Sequence, residues 1–287
     1  MSDTSIRETA ELVSAMEEHL KNNLLKDEPD KLWANSFIRK QIKKRKDSKE
    51  LFSLQDHIRA MVYSMLSSGN RWADVSKNAD SVTGCIPDVD KAFYNYDVEK
   101  LKKCSPEQLR NNVKKIHCGT QSTLKQMDAL LSVNIDRLIS LGKKFGTVDT
   151  YYQKLIDIDD TLKTLVVVLS TPGSIAKLEQ MNVALVCEYL RNIGYDIPKP
   201  DRHICRILGS EHLALSDKKE VPPFEAFDKV VELAELMGKP TAEVDYILWS
   251  YCADGYGEIC KKKNAKCKEC IAKSHCKKYN NKNRRKN

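Results

Sequence analysis

Four of the ten cysteines, Cys260, Cys267, Cys270 and Cys276, fall in one short segment of the 287-residue chain, spaced C-x6-C-x2-C-x5-C. Four soft thiolates on one loop can turn toward a single point, which is the donor set of an iron-sulfur cluster or of a tetrahedral zinc. Structural zinc usually takes two close cysteine pairs held well apart. Only Cys267 and Cys270 form such a pair, so the spacing favours [4Fe-4S] over zinc. Cys85, Cys104, Cys118, Cys187, Cys205 and Cys252 are scattered and read as ordinary residues. Disulfides are not expected. Met1 to Thr9 has neither the basic start nor the apolar stretch of an export signal, which points to the cytoplasm, where thiols stay reduced.

Between the first two of these cysteines lie Lys261, Lys262, Lys263 and Lys266, so a rigid cluster would hold out a cationic finger. From Lys261 to Asn287 twelve Lys or Arg oppose one acid, Glu269. That segment therefore carries +11 and the first 260 residues −3 of the formal +8. A basic end on a mildly acidic body draws a polyanion, and nucleic acid is the first candidate. Lysines in that role supply phosphate affinity without sequence information. A solvated tail that only aids solubility is the other reading of Asn280 to Asn287. A second basic run, Arg39, Lys40, Lys43, Lys44, Arg45 and Lys46, reads as a solvated helix face or as a further DNA contact.

The elements that must position these groups read as helices. Ile58, Met61, Val62, Met65 and Leu66 recur at helical spacing, as do Val183, Val186, Cys187, Leu190 and Ile193 before Gly194. Leu155, Ile158, Leu162, Leu165, Val166 and Leu169 form another stripe. Val230, Leu233, Ala234 and Met237 form a fourth, stopped by Gly238 and Pro240. Val244, Ile247, Leu248 and Tyr251 follow, with Thr241 as the expected N-cap, and lead into the cysteine segment. Strand signals are nearly absent, no internal repeat is evident, and no apolar run reaches the roughly 18 residues that a membrane crossing needs. An all-α architecture of about ten helices follows.

This cysteine spacing behind an all-helical chain resembles the endonuclease III branch of the helix-hairpin-helix DNA glycosylases, whose cluster loop carries [4Fe-4S]. Lys199-Pro200-Asp201-Arg202-His203-Ile204-Cys205-Arg206 is similar to that family's segment with the catalytic aspartate. Ser67-Ser68-Gly69-Asn70-Arg71, after an apolar helix, is similar to its loop that probes the DNA stack. The matches span Leu51 to Lys278 in the family's order. The resemblance implies a two-lobed helical protein: a barrel over 51–194, and a second domain joining 1–50 to 195–287 with the aspartate and the cluster.

It further implies a base-excision enzyme acting as a monomer on double-stranded DNA, taking a damaged or mispaired base from a flipped nucleotide. Breaking the N-glycosidic bond builds positive charge on the sugar, so Asp201 is the candidate catalytic carboxylate. Read from its neighbours alone, Asp201 after Pro200 is also a good helix N-cap, and the two roles are compatible. Cys260, Cys267, Cys270 and Cys276 would hold the cluster. Ser68, Gly69, Asn70, Arg71, Asn182, Lys261, Lys262, Lys263 and Lys266 are the expected DNA contacts.

Members that also cleave the strand use a Lys at the start of the second hairpin helix. Here Met181-Asn182-Val183-Ala184-Leu185 has none, so hydrolysis without lyase chemistry is expected. Lys177, on the preceding helix, and Lys199 are the nearest amines. The hairpin turns near Gln180-Met181-Asn182 with no glycine, and Asn182 is placed as N-cap or in the left-handed region. His203 reads as a hydrogen-bonded structural residue and Trp72 and Trp249 as core. Two other outcomes stay open: a non-catalytic iron-sulfur DNA-binding protein on the same scaffold, and a bifunctional glycosylase/lyase.

Overall fold

The computed structural model describes residues 3–48, 51–120, 122–158 and 162–284, and among these no strand occurs. In chain order the first α-helices are α1 (Asp3–His19), α2 (Phe37–Ser48), α3 (Leu54–Leu66), α4 (Trp72–Val75), α5 (Pro87–Ala92) and α6 (Val98–Lys102). There follow α7 (Pro106–Lys115), α8 (Thr123–Ala129), α9 (Ile135–Phe145), α10 (Val148–Ile156) and α11 (Leu162–Ser170). The last are α12 (Val183–Asn192), α13 (Arg202–Ile207), α14 (Pro223–Met237), α15 (Thr241–Cys252) and α16 (Lys277–Arg284). The all-α expectation holds, with more and shorter helices than the periodicity suggests. Pro87 and Pro106 take first-turn positions, and Asp97 and Ser105 cap α6 and α7, so the chain restarts a helix every few residues over 87–115.

The chain divides into two compact units, one of residues 1–39 with 196–287 and one of 40–195. In the second, α3 packs along α12. The predicted face of α3 is sealed, with Ile58, Met61, Val62 and Met65 at 0% exposure. His57, Tyr63 and Ser64 are buried as well. A helix with polar groups inside needs partners for them. His57 Nδ1 lies 2.6 Å from Tyr189 Oη, Ser64 Oγ donates to the Leu185 carbonyl at 2.6 Å, and Tyr63 Oη donates to Asp90 at 2.7 Å. A Ser53–Asp56 capping box starts the helix.

The stripe expected over 155–169 is broken. Helix α10 ends at Ile156 with Asp157 as C-cap, α11 begins at Leu162, and Ile158 is exposed. The aspartates after Ile156 favour a helix end over a helix interior. Gly194, at φ 85°, closes α12 where a Cβ would stand 2.5 Å from the Gln41 carbonyl, so only glycine fits.

The basic run on α2 is not simply a solvated face. Arg45 Nη2 donates to the buried Asp149 at 2.9 Å, Nε donates to the Ile193 carbonyl at 2.7 Å, and the guanidinium stacks 4.2 Å above Tyr195. Asp149 Oδ2 accepts from the Phe52 amide at 2.7 Å, and His57 Nε2 is 3.5 Å from Oδ1. Burial pushes the Asp149 carboxyl up, but His57 and then Arg45 outweigh it and leave it below the ordinary value.

The first unit gathers α1, α13, α14 and α15 around Val13, Met16, Ile204, Leu208, Val230, Leu233, Leu248 and Tyr251. The faces expected on α14 and α15 point into this core, and Gly238 at φ 59° ends α14 as a left-handed cap. Pro240 takes the N-cap position of α15, so Thr241 is its first helical residue instead of the cap. No helix of the described residues is long and apolar enough to cross a membrane.

Candidate functional site

Asp201 leads α13 as its N-cap. Oδ1 accepts from the His203 amide at 2.7 Å and the Ile204 amide at 3.2 Å. Both bonds fall on one oxygen, so the carboxylate is oriented while Oδ2 makes no hydrogen bond among the described residues. The extended segment before it is fixed in turn, because the Lys199 amide donates to Asp245 at 2.9 Å. His203 departs from expectation, since its Nδ1 is buried with no hydrogen-bond partner. Burial holds its imidazole below the ordinary pKa against the opposing charge of Asp201.

One turn on, Arg206 Nη2 donates to the Cys260 carbonyl at 2.5 Å and ties the aspartate helix to the cysteine loop. The loop over 253–276 has turns and bends but no helix, and short turn bonds such as the Lys266 amide to the Ile259 carbonyl at 3.0 Å are joined by bonds to the end of α15. Tyr251 supplies several. Its carbonyl accepts from the Ile259 and Cys260 amides at 3.0 and 3.1 Å, and its hydroxyl accepts from the Ile271 amide at 3.0 Å.

Cys260, Cys267, Cys270 and Cys276 are all free and partly buried, and Cys260 interacts electrostatically with both Cys270 and Cys276. Among the described residues no three His, Cys, Asp or Glu side chains close tightly enough to hold a single metal ion. A four-iron cluster spaces its thiolate ligands more widely than one ion does. Four soft donors on one loop are the kind of ligand set that could hold such a group.

A fifth cysteine belongs to this neighbourhood. Cys252, read from the sequence as ordinary, ends α15 fully buried, and the neighbouring Cys260 together with burial pushes its thiol well up. The hydrogen bond from Cys252, and then one from His212, bring the Cys260 thiol down to about 4. Burial pushes Cys270 up to about 11 and raises Cys276 as well. Nothing in the spacing of Cys252 or His212 marks them; only the fold brings both to Cys260.

The cationic finger is divided. Lys261 pairs with Asp254 and lies 3.7 Å from Glu258, whereas Lys262, Lys263 and Lys266 are exposed. In the other unit, Ser68, Gly69 and Asn70 form the turn after α3, with Gly69 at φ 79°. Asn70 Nδ2 donates back to the Leu66 carbonyl at 2.7 Å and caps α3. Arg71 is exposed, 3.7 Å from Asp74.

Between α11 and α12, residues 171–182 contain turns and no helix, so Lys177 does not ride on a helix as expected. Its Nζ is engaged by the Leu178 carbonyl at 3.3 Å and the Glu179 carboxylate at 3.4 Å. Gln180, at φ 58°, makes the left-handed turn, and Asn182 caps α12 by accepting from the Leu185 amide at 3.0 Å. The buried Asn134 clamps the turn from both sides of Glu179, accepting from its amide at 2.7 Å and donating to its carbonyl at 3.0 Å. Sequence reasoning missed Asn134 because it lies far from the turn in the chain.

No family model and no curated protein matches this chain. Among solved structures the chain is similar to the 8-oxoguanine glycosylase/lyase of Methanocaldococcus jannaschii in complex with a 15mer DNA containing 8-oxoguanine. The two share 17% identity at a TM-score of 0.48, over 83% of this chain and 96% of that one.

Proposed function

We propose that this chain is a monomeric, monofunctional DNA base-excision glycosylase of the helix-hairpin-helix kind, acting on double-stranded DNA with a [4Fe-4S] cluster on its cysteine loop. The observation that carries the reading is Asp201, whose Oδ1 is fixed by two helix amides while Oδ2 is unbonded, on a helix joined to the four-cysteine loop. A carboxylate so oriented can face the positive charge that develops on a sugar as its base departs, and can align the attacking water. The cluster, when bound, supplies a rigid fold for the loop. Cys260, Cys267, Cys270 and Cys276 would hold it, and Lys262, Lys263 and Lys266 would meet phosphates. The missing hairpin Lys, with Asn182 capping α12 in that stretch and Lys177 already engaged, supports hydrolysis without strand cleavage.

The test is a strand-scission assay of iron-replete protein on duplexes bearing oxidised, alkylated, deaminated or mispaired bases, each developed with and without hot alkali. Breaks that need alkali, and that vanish in Asp201→Asn, are the expected result. Breaks without alkali would overturn the monofunctional assignment. Salt-sensitive duplex binding with no excision of any base would replace the enzyme with a non-catalytic DNA-binding protein.

A further inference from the structure

Residues 196–200 run to Asp201 as a strap without helix or turn, and Ile197 and Lys199 on it are buried. Pro198 and Pro200 carry no N–H, so within 198–200 the Lys199 amide is the donor by which the backbone can be gripped. It donates at 2.9 Å to Asp245 of α15, which is 0% exposed. One helical turn earlier the bond runs the other way, from the Ala242 amide to Asp196 Oδ1 at 2.8 Å. Pro240 at the N-cap of α15 has no side-chain oxygen to offer, so Asp196 takes up a first-turn amide of that helix from far along the chain. Strap and helix are thus stitched twice. The stitching reaches the aspartate, because the Lys199 carbonyl accepts from the Asp201 amide at 2.7 Å and the Pro200 carbonyl accepts from the Cys205 thiol at 3.4 Å. Val244, Ile247, Leu248 and Tyr251 supply the core face of α15, so packing does not call for a carboxylate beside them. One buried as fully as Asp245 is costly unless donors face it.

We propose that Asp245 is a positioning residue for Asp201: together with Asp196 it fixes the strap on α15, and the strap sets the point from which the Asp201 carboxylate meets the sugar. This rests on the glycosylase reading given above. A carboxylate that faces a developing charge helps most when it is held there before the charge appears. A displacement of about 1 Å can cost on the order of a hundredfold in rate. Asp245 acts through Asp201 alone and touches neither sugar nor base.

The experiment uses the full-length protein and two duplexes that require no knowledge of the excised base. One carries a neutral tetrahydrofuran abasic analogue, the other a pyrrolidine whose protonated ring nitrogen mimics the charge on the sugar as the base departs. Affinity for each is measured by anisotropy, and folding by far-ultraviolet circular dichroism, for wild type, Asp201→Asn, Asp245→Leu, which has no acceptor, and Asp245→Asn, which keeps one. Wild type is expected to bind the pyrrolidine duplex about tenfold or more tightly than the tetrahydrofuran duplex, and Asp201→Asn to abolish that preference. Asp245→Leu is expected to lose most of the preference while binding the tetrahydrofuran duplex as wild type does, and Asp245→Asn to restore it. A merely structural role would weaken binding of both duplexes alike. Wild type with no preference, or Asp201→Asn that keeps it, would overturn the carboxylate reading itself. A preference lost in Asp201→Asn but kept in folded Asp245→Leu would overturn the role of Asp245 alone. Should Asp245→Leu fail to fold, Asp196→Ala releases the other stitch from a half-buried position. An unchanged preference there would equally overturn the two-point strap.

Discussion

Arg206 donates to the backbone carbonyl of Cys260 at 2.5 Å, so the helix that begins at Asp201 and the loop that carries four cysteines are held as one piece. The contact places a charged donor on a carbonyl, which makes it stronger than a neutral hydrogen bond. Arg206 is 7% exposed, so no solvent takes over when it is removed.

Arg206→Met keeps the buried stem and removes the donor. Unfolding in urea should show a loss of about 1–3 kcal/mol. Limited proteolysis should cut within 253–276 faster than in wild type. An unchanged cutting rate would mean that the bond from Arg206 does not restrain the loop.

Asp201→Asn separates capping from chemistry. Asparagine caps a helix about as well as aspartate, so the midpoint of thermal unfolding should move little, whereas Asp201→Ala should cost about 1 kcal/mol. Excision should be lost in both, with duplex binding retained. Excision surviving in Asp201→Asn would remove the carboxylate from the mechanism.

The exposed lysines of the finger should act as additive phosphate contacts. Alanine at Lys262, Lys263 or Lys266 should each lower the slope of log affinity against log salt by about 0.9, measured by anisotropy on a labelled duplex. Lys261→Ala should lower it less, because its amine is shared with Asp254 and Glu258.

Asp149→Asn should destabilise residues 40–195 by about 3–5 kcal/mol, since it leaves Arg45 without its buried partner. The pH dependence has a definite sign. The Asp149 carboxyl sits below its ordinary value in the folded state, so its contribution is complete above the unfolded pKa of about 3.9 and is lost as pH falls below that value. Wild-type stability measured from pH 6 to pH 3 should fall more steeply at the acid end than that of Asp149→Asn.

The sequence by itself determined the helical class and most of the buried faces, because a 3.6-residue apolar period leaves a chain with few strand signals little alternative. It also marked Asp201 as a cap and gathered four cysteines by spacing alone. Local chemistry misled where two signals competed: the apolar period ran across the helix break after Ile156, and Thr241 yielded the cap position to Pro240. What only the tertiary structure decided are contacts between residues far apart in the chain. Arg45 meets Asp149, Asn134 clamps Glu179, and Arg206 meets the Cys260 carbonyl across 54 positions. None of these pairs has a periodicity or a spacing to betray it. Each exists because a buried polar group must find its partner wherever the packed chain supplies one.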